Sequence, residues 1–184
     1  MPVPDLDPGV MTSLTKLSTG FEVRAITPGV LAELRVTDDA GNAPVLRTDA
    51  EGGSPLRCCL RPSLAGEQIA LVSYAPLRRW ARETAADPGP YDEVGPVFIH
   101  PVPCGGPDGT GYPSWLAAGQ RVLRAYNADG HILGGRLVDP DPDGSPLPVE
   151  SALAEMFADP AVALVHGRAV AFGCFTFEVR RAGG

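Results

Sequence analysis

An α+β fold, with a mainly antiparallel sheet and two or three flanking helices, is the architecture this sequence predicts. Three observations lead there. Segments that read as strands, either alternating or apolar on both parities, outnumber helical ones. Several connections are too short for the crossovers that parallel strands need. Finally, 22 glycines and 20 prolines in 184 residues call for many turns. Glycine reaches positive φ, and proline fixes φ while removing a donor.

Residues 1–20 are rich in Pro, Thr and Ser and read as a flexible leader, with one α+β domain over 21–182. Phe21, Val23 and Ala25 alternate with Glu22 and Arg24, as in a half-buried strand. Thr27-Pro28 has the form of an N-cap followed by proline at the first helical position, opening a helix through Leu31 and Leu34. Residues 38–55 carry Gly, Asn, Asp and Pro and are expected to be loop. The run from Gln68 to Tyr74 is apolar on both parities, a central strand covered on both faces. A short helix follows over 77–85, then a Pro/Gly turn over 87–91 and a buried strand from Val97 to His100. Residues 101–114 form a long Pro- and Gly-rich loop. Gln120–Asn127 and His131–Val138 make a hairpin around Ala128-Asp129-Gly130, since Asp-Gly supports tight turns. Residues 140–148 are turn-rich. Val149, Leu153, Met156 and Phe157 share one face of a helix over 149–158. Strands over 161–168 and 174–180 complete the sheet.

The formal charge of −7 argues against a phosphate-backbone partner, and no basic run offsets it. No apolar stretch approaches the roughly 20 residues of a membrane span, and the first residues lack the pattern of a secretion signal. The cytosol is the expected location, where the four cysteines stay mostly reduced.

Several segments together carry a resemblance. They are Arg57-Cys-Cys-Leu-Arg61, Gly66-Glu67 with the strand to Tyr74, and Gly89-Pro-Tyr-Asp-Glu-Val-Gly-Pro-Val-Phe-Ile-His100 with Cys104 beyond. Arg124-Ala-Tyr126, His166-Gly-Arg168 and Gly173-Cys-Phe175 follow. From about Phe21 to Arg180 the chain resembles a bacterial family known as domain of unknown function 1203. The resemblance implies no activity, cofactor or substrate. It directs attention to Cys59, His100, Cys104, Arg124, Tyr126, His166, Arg168 and Cys174, and it places Ala169 where the pattern has Asn.

Three constellations follow from these residues. Cys59, His100, Cys104 and His166 are of the types tetrahedral zinc prefers, but there is no Cys-x₂-Cys knuckle. Adjacent Cys58 and Cys59 suggest poor chelation, so no metal and no cofactor are expected. A Cys–His nucleophilic pair is the second, with Arg57 and Arg61 flanking Cys59 in a field that favours thiolate. The third rests on strand parity. His166 and Arg168 share a face, as do Arg124 and Tyr126, and Cys174 falls on the polar side of its strand. On adjacent strands these groups would clamp an anion and supply an acid or base.

The favoured expectation is a cofactor-independent enzyme acting on a small anionic metabolite. His166 is its acid–base, Cys59 its nucleophile and Tyr126 its orienting donor. Arg124, Arg168, His100, Cys104 and Cys174 contact the substrate. The alternatives are a binding module that uses Tyr112 and Trp115 as contacts, and a structural zinc domain.

Overall fold

The computed structural model describes residues 14–15, 20–109, 111–143 and 145–183. Most of the expected leader thus lies outside the described residues. Strands β1 (Leu14–Thr15) and β2 (Phe21–Arg24) precede helix α1 (Pro28–Leu34). Strands β3 (Val45–Asp49), β4 (Pro55–Leu56), β5 (Arg61–Pro62) and β6 (Glu67–Tyr74) lead to α2 (Pro76–Thr84). Next come β7 (Gly95–Ile99), β8 (Tyr112–Pro113), β9 (Arg121–Tyr126) and β10 (Ile132–Val138), followed by α3 (Leu147–Ala158). Strands β11 (Leu164–Ala169) and β12 (Phe175–Arg181) follow α3.

The α+β class is as expected, but the strands divide into two sheets of five. One runs β10-β9-β11-β12-β2 and is antiparallel throughout; the other runs β3-β6-β7-β4-β5, with one parallel contact between β4 and β7. Strands β1 and β8 form a separate two-stranded pair. Each sheet has its own apolar set. Leu123, Ala125, Val165, Phe177 and Val179 pack with α3 residues Val149, Leu153 and Phe157. Ile69, Val72, Val97 and Ile99 pack with α1 residues Leu31 and Leu34.

The helices begin as their sequences direct. Pro28 and Pro76 stand at the first turns of α1 and α2, where the missing N–H costs nothing. Helix α2 ends at Ala85 in the left-handed region. In α3 the four-residue spacing of Val149, Leu153 and Phe157 buries one stripe, with Met156 half-buried beside it.

Two local expectations change. Strand β3 lies inside the segment read as loop. Val45, Leu46, Arg47 and Thr48 are exposed along a sheet edge, so no burial pattern marks them. The β9–β10 hairpin forms, but only Gly130 has positive φ, at 85°. The Asn127 carboxamide oxygen fastens the turn by accepting the Asp129 and His131 N–H groups at 3.0 and 2.8 Å.

The turn between β4 and β5 positions the site. Leu60 adopts φ 56°, a conformation that costs an L-residue about 1–2 kcal/mol. Burial of its side chain in the α3-side core holds it there, and its carbonyl accepts the Trp115 Nε1–H at 2.7 Å. Arg57 extends the same turn to the first sheet, donating from Nε to the Phe175 carbonyl at 2.8 Å. Residues 57–60 therefore tie the two sheets together.

Candidate metal centre

Parallel pairing of Leu56 with Phe98 carries the chain beyond β4 alongside the end of β7. The Arg57 N–H donates to the Phe98 carbonyl at 2.9 Å, and the His100 N–H donates to Cys58 Sγ at 3.2 Å. In this register the imidazole of His100 meets both thiols of the turn. Its Nδ1 lies 3.1 Å from Cys58 Sγ and 3.7 Å from Cys59 Sγ, and the two sulfurs are 3.9 Å apart. Cys104, four residues past His100 in the Pro/Gly loop, brings a third sulfur. All four donor atoms lie within 4.8 Å of one another.

Two of these separations, 3.9 Å between the sulfurs and 3.7 Å from Cys59 Sγ to Nδ1, lie near the edges of a zinc tetrahedron. With Zn–S near 2.3 Å, the edge between two sulfurs is about 3.8 Å, and the edge to an imidazole nitrogen about 3.6 Å. Adjacency of Cys58 and Cys59 was expected to defeat chelation, as it would on an extended strand, where neighbouring side chains oppose each other. The bend at residues 57–60 removes that obstacle. The structure thus gathers Cys59, His100 and Cys104 of the expected Cys/His set, with Cys58 in place of His166.

The far side of the imidazole is equally organised. His100 Nε2 lies 2.8 Å from Glu67 Oε1 and 2.9 Å from an Arg61 guanidinium nitrogen; in the Nε2–H tautomer the ring donates to Glu67 and keeps the Nδ1 lone pair for the sulfur side. Arg61 grips Glu67 through both guanidinium nitrogens, at 2.9 and 2.6 Å, and holds its carboxyl down to about 2. Carboxylate–histidine partnerships of this kind orient a ligand ring and raise its basicity. Glu67→Gln is expected to weaken zinc affinity about 10–100-fold without unfolding the protein, as read by competition with a chromophoric chelator.

The thiols differ in acidity. Cys58 donates towards Cys59, which raises the Cys58 thiol and lowers that of Cys59; burial raises Cys104. Two thiols of unequal acidity thus face one imidazole, and uptake of a divalent ion would discharge their protons.

The other predicted residues lie elsewhere. Strands β9 and β11 are neighbours, with Arg124 opposite His166 and Tyr126 opposite Leu164. Arg124, Tyr126, His166 and Arg168 therefore do share one face. Arg124 binds both Glu93 oxygens at 3.0 and 3.1 Å, Arg168 also bonds Glu93, and Arg168 lies 3.4 Å from the Tyr126 hydroxyl. His166, however, is fully buried, at 0% exposure, between the rings of Tyr126 and Phe175 at 4.8 and 5.1 Å. Neither of its ring nitrogens has a hydrogen-bond partner, and Glu178 stands 3.6 Å away.

Burial lowers the pKa of His166, favouring the neutral ring. An unfolded chain protonates it below its ordinary 6.5 while the folded one does not, so this part of the stability is full above that pH and is lost on acidification. Urea midpoints of the wild type should fall below pH 6.5, and His166→Phe should flatten that slope.

Cys59 and Cys104 belong to the His100 cluster and make no hydrogen bond to His166. Cys174 lines a cleft of about 320 Å³ together with Arg168 and its partner Glu93, and with Phe172. The single pocket expected to unite imidazole, guanidinium and thiol is thus two places, the His100 cluster and the Arg168–Glu93 cleft with Cys174. Sequence reasoning did not single out Cys58, Glu67 or Arg61 as partners of His100. Only the pairing of β4 with β7 discloses them.

A two-sheet α+β domain with a three-cysteine, one-histidine cluster at the turn joining its sheets is the class that fold and site define. The chain belongs to the family described as Protein of unknown function (DUF1203), whose model matches residues 53–181, a span that includes all four candidate ligands. No curated protein and no solved structure matches it. Among the described residues, no helix is long and apolar enough to cross a membrane.

Proposed function

We propose that this domain binds a zinc ion through Cys58, Cys59, Cys104 and His100, and that the ion braces the junction between its sheets. The observation that carries this reading is the mutual spacing of three sulfurs and one imidazole nitrogen within 4.8 Å of one another. Three sulfurs and one nitrogen are a set that zinc favours over hard, oxygen-seeking cations. Four protein ligands leave no open position for water, so the role is structural rather than hydrolytic. Elemental analysis of protein purified without chelator should return about one zinc per chain. A metal-free preparation that also fails to take up zinc on titration would sink the proposal.

A second reading has its own support. The lowered Cys59 thiol, 3.7 Å from His100 Nδ1, has the form of an activated nucleophile acting on a small molecule without any cofactor. Alkylation separates the two. Under the zinc reading, iodoacetamide modifies Cys59 only after treatment with EDTA, whereas under the nucleophile reading the untreated protein reacts at once.

A further inference from the structure

The cleft beside Cys174 is lined from both sheets. Tyr74 at the end of β6, with Val94 and Pro96 around the start of β7, forms one wall. Arg168 of β11 and the turn from Phe172 to Phe175 form the other. The volume of about 320 Å³ reaches the range that small ligands fill, about 300–1,000 Å³.

The Arg168 wall is charged and held in place. Arg168 is only 7% exposed. Its guanidinium donates to the Gly173 carbonyl at 2.9 Å, lies 3.4 Å from the Tyr126 hydroxyl and bonds Glu93, while its Nε is buried without an acceptor. Arg124 donates to both oxygens of the same carboxylate, at 3.0 and 3.1 Å, so two guanidinium groups share one acid. That acid is free to leave. The Glu93 side chain is 46% exposed, against 9% for that of Arg168.

The mouth of the cleft is apolar. Phe172 is 85% exposed and Val94 42%. Phe172 stands in the turn between β11 and β12, which is fastened by the Ala169 N–H to the Cys174 carbonyl at 3.0 Å and the Gly173 N–H to the Ala169 carbonyl at 2.9 Å. Single exposed apolar residues are common on protein surfaces, but here two border one cleft that also holds a buried arginine.

We infer that this cleft binds a small carboxylate with an apolar, ring-sized body. The Glu93 carboxylate marks the seat of the ligand's own, since it already accepts from both arginines in the manner that planar guanidinium groups favour. The ligand carboxylate takes that seat as Glu93 turns to water, one negative charge replacing another. Contacts of the apolar body with Phe172 and Val94 then decide the affinity. The site is a different place from the His100 cluster and does not depend on zinc.

Calorimetric titration of the full chain with benzoate and, separately, with acetate tests the inference. Benzoate is expected to bind saturably, and more tightly than acetate. Glu93→Gln removes the competing carboxylate and should tighten benzoate about tenfold, whereas Arg124→Gln should weaken it by about as much. Phe172→Ala, at an exposed position, should weaken benzoate about threefold or more and leave acetate unchanged. Bound benzoate should also slow alkylation of half-exposed Cys174 in the wild type, read by peptide mass spectrometry, which locates the ligand even where a clamp variant folds poorly. Failure of benzoate to bind the wild type and Glu93→Gln, equal affinity for acetate, or binding that leaves Cys174 unprotected would each overturn the assignment.

Discussion

Chelation of zinc from the intact protein is expected to lower its stability by about 4 kcal/mol, the linkage expected for free zinc a thousandfold above its Kd. For a domain of this size that corresponds to a fall of about 8–16 °C in melting temperature, read by circular dichroism with and without chelator. On the zinc proposal the effect is large because the proposed ligands sit in the turn that joins the sheets. Cys58 and Cys59 occupy a turn held at one end by the Trp115 bond to Leu60, and at the other by the Arg57 bond to Phe175. Without a metal, two buried thiols and an imidazole face one another with protons to dispose of, and the left-handed Leu60 conformation loses a restraint. Cys58→Ser and Cys104→Ser should melt near the chelated wild type and show no response to added zinc. A wild type whose melting temperature ignores both chelator and zinc would remove the bracing role.

The different legibility of fold and site has a physical cause. Elements whose burial follows a simple period were readable: β6 with both parities apolar, α3 with its Val149-Leu153-Phe157 stripe, and the β9–β10 hairpin around Gly130. Strand β3 was not, because an edge strand exposed along most of its length carries no pattern. The division into two sheets was also hidden, since period reports that a face is buried but not against what. For the site, parity correctly put Arg124, Tyr126, His166 and Arg168 on one face of adjacent strands. Parity says nothing about depth, and the aromatic rings of Tyr126 and Phe175 close over His166. The Cys/His cluster was readable only in part, since residue type singled out Cys59, His100 and Cys104 but not Cys58. Its ligands come from a turn and a loop, where spacing rules for strands and knuckles do not apply, and only the parallel contact of Leu56 with Phe98 joins them.

Gly167→Ala should destabilise the protein by about 3 kcal/mol, although replacing glycine in a strand ordinarily helps by about 0.4–1 kcal/mol through the unfolded chain. On β11, Gly167 pairs with Leu123 on one side and Phe177 on the other. The ring of Phe177 lies directly over it, and a Cβ added there would fall 2.2 Å from Cζ and 2.5 and 2.6 Å from the two Cε atoms. The ring has nowhere to go. Phe177 is fully buried, and its ring meets that of Tyr112 edge-on at 5.5 Å, within the core that α3 covers. The missing side chain is thus filled from across the strand pair, a glycine covered by an aromatic ring. Urea unfolding of Gly167→Ala, Phe177→Leu and the double variant forms the cycle that isolates this contact. Leucine in place of the ring frees the space over residue 167, so the double variant should lie closer to Phe177→Leu than additivity allows. A midpoint for Gly167→Ala at or above the wild type would show that the ring yields freely, and the packing argument for this strand pair would fail with it.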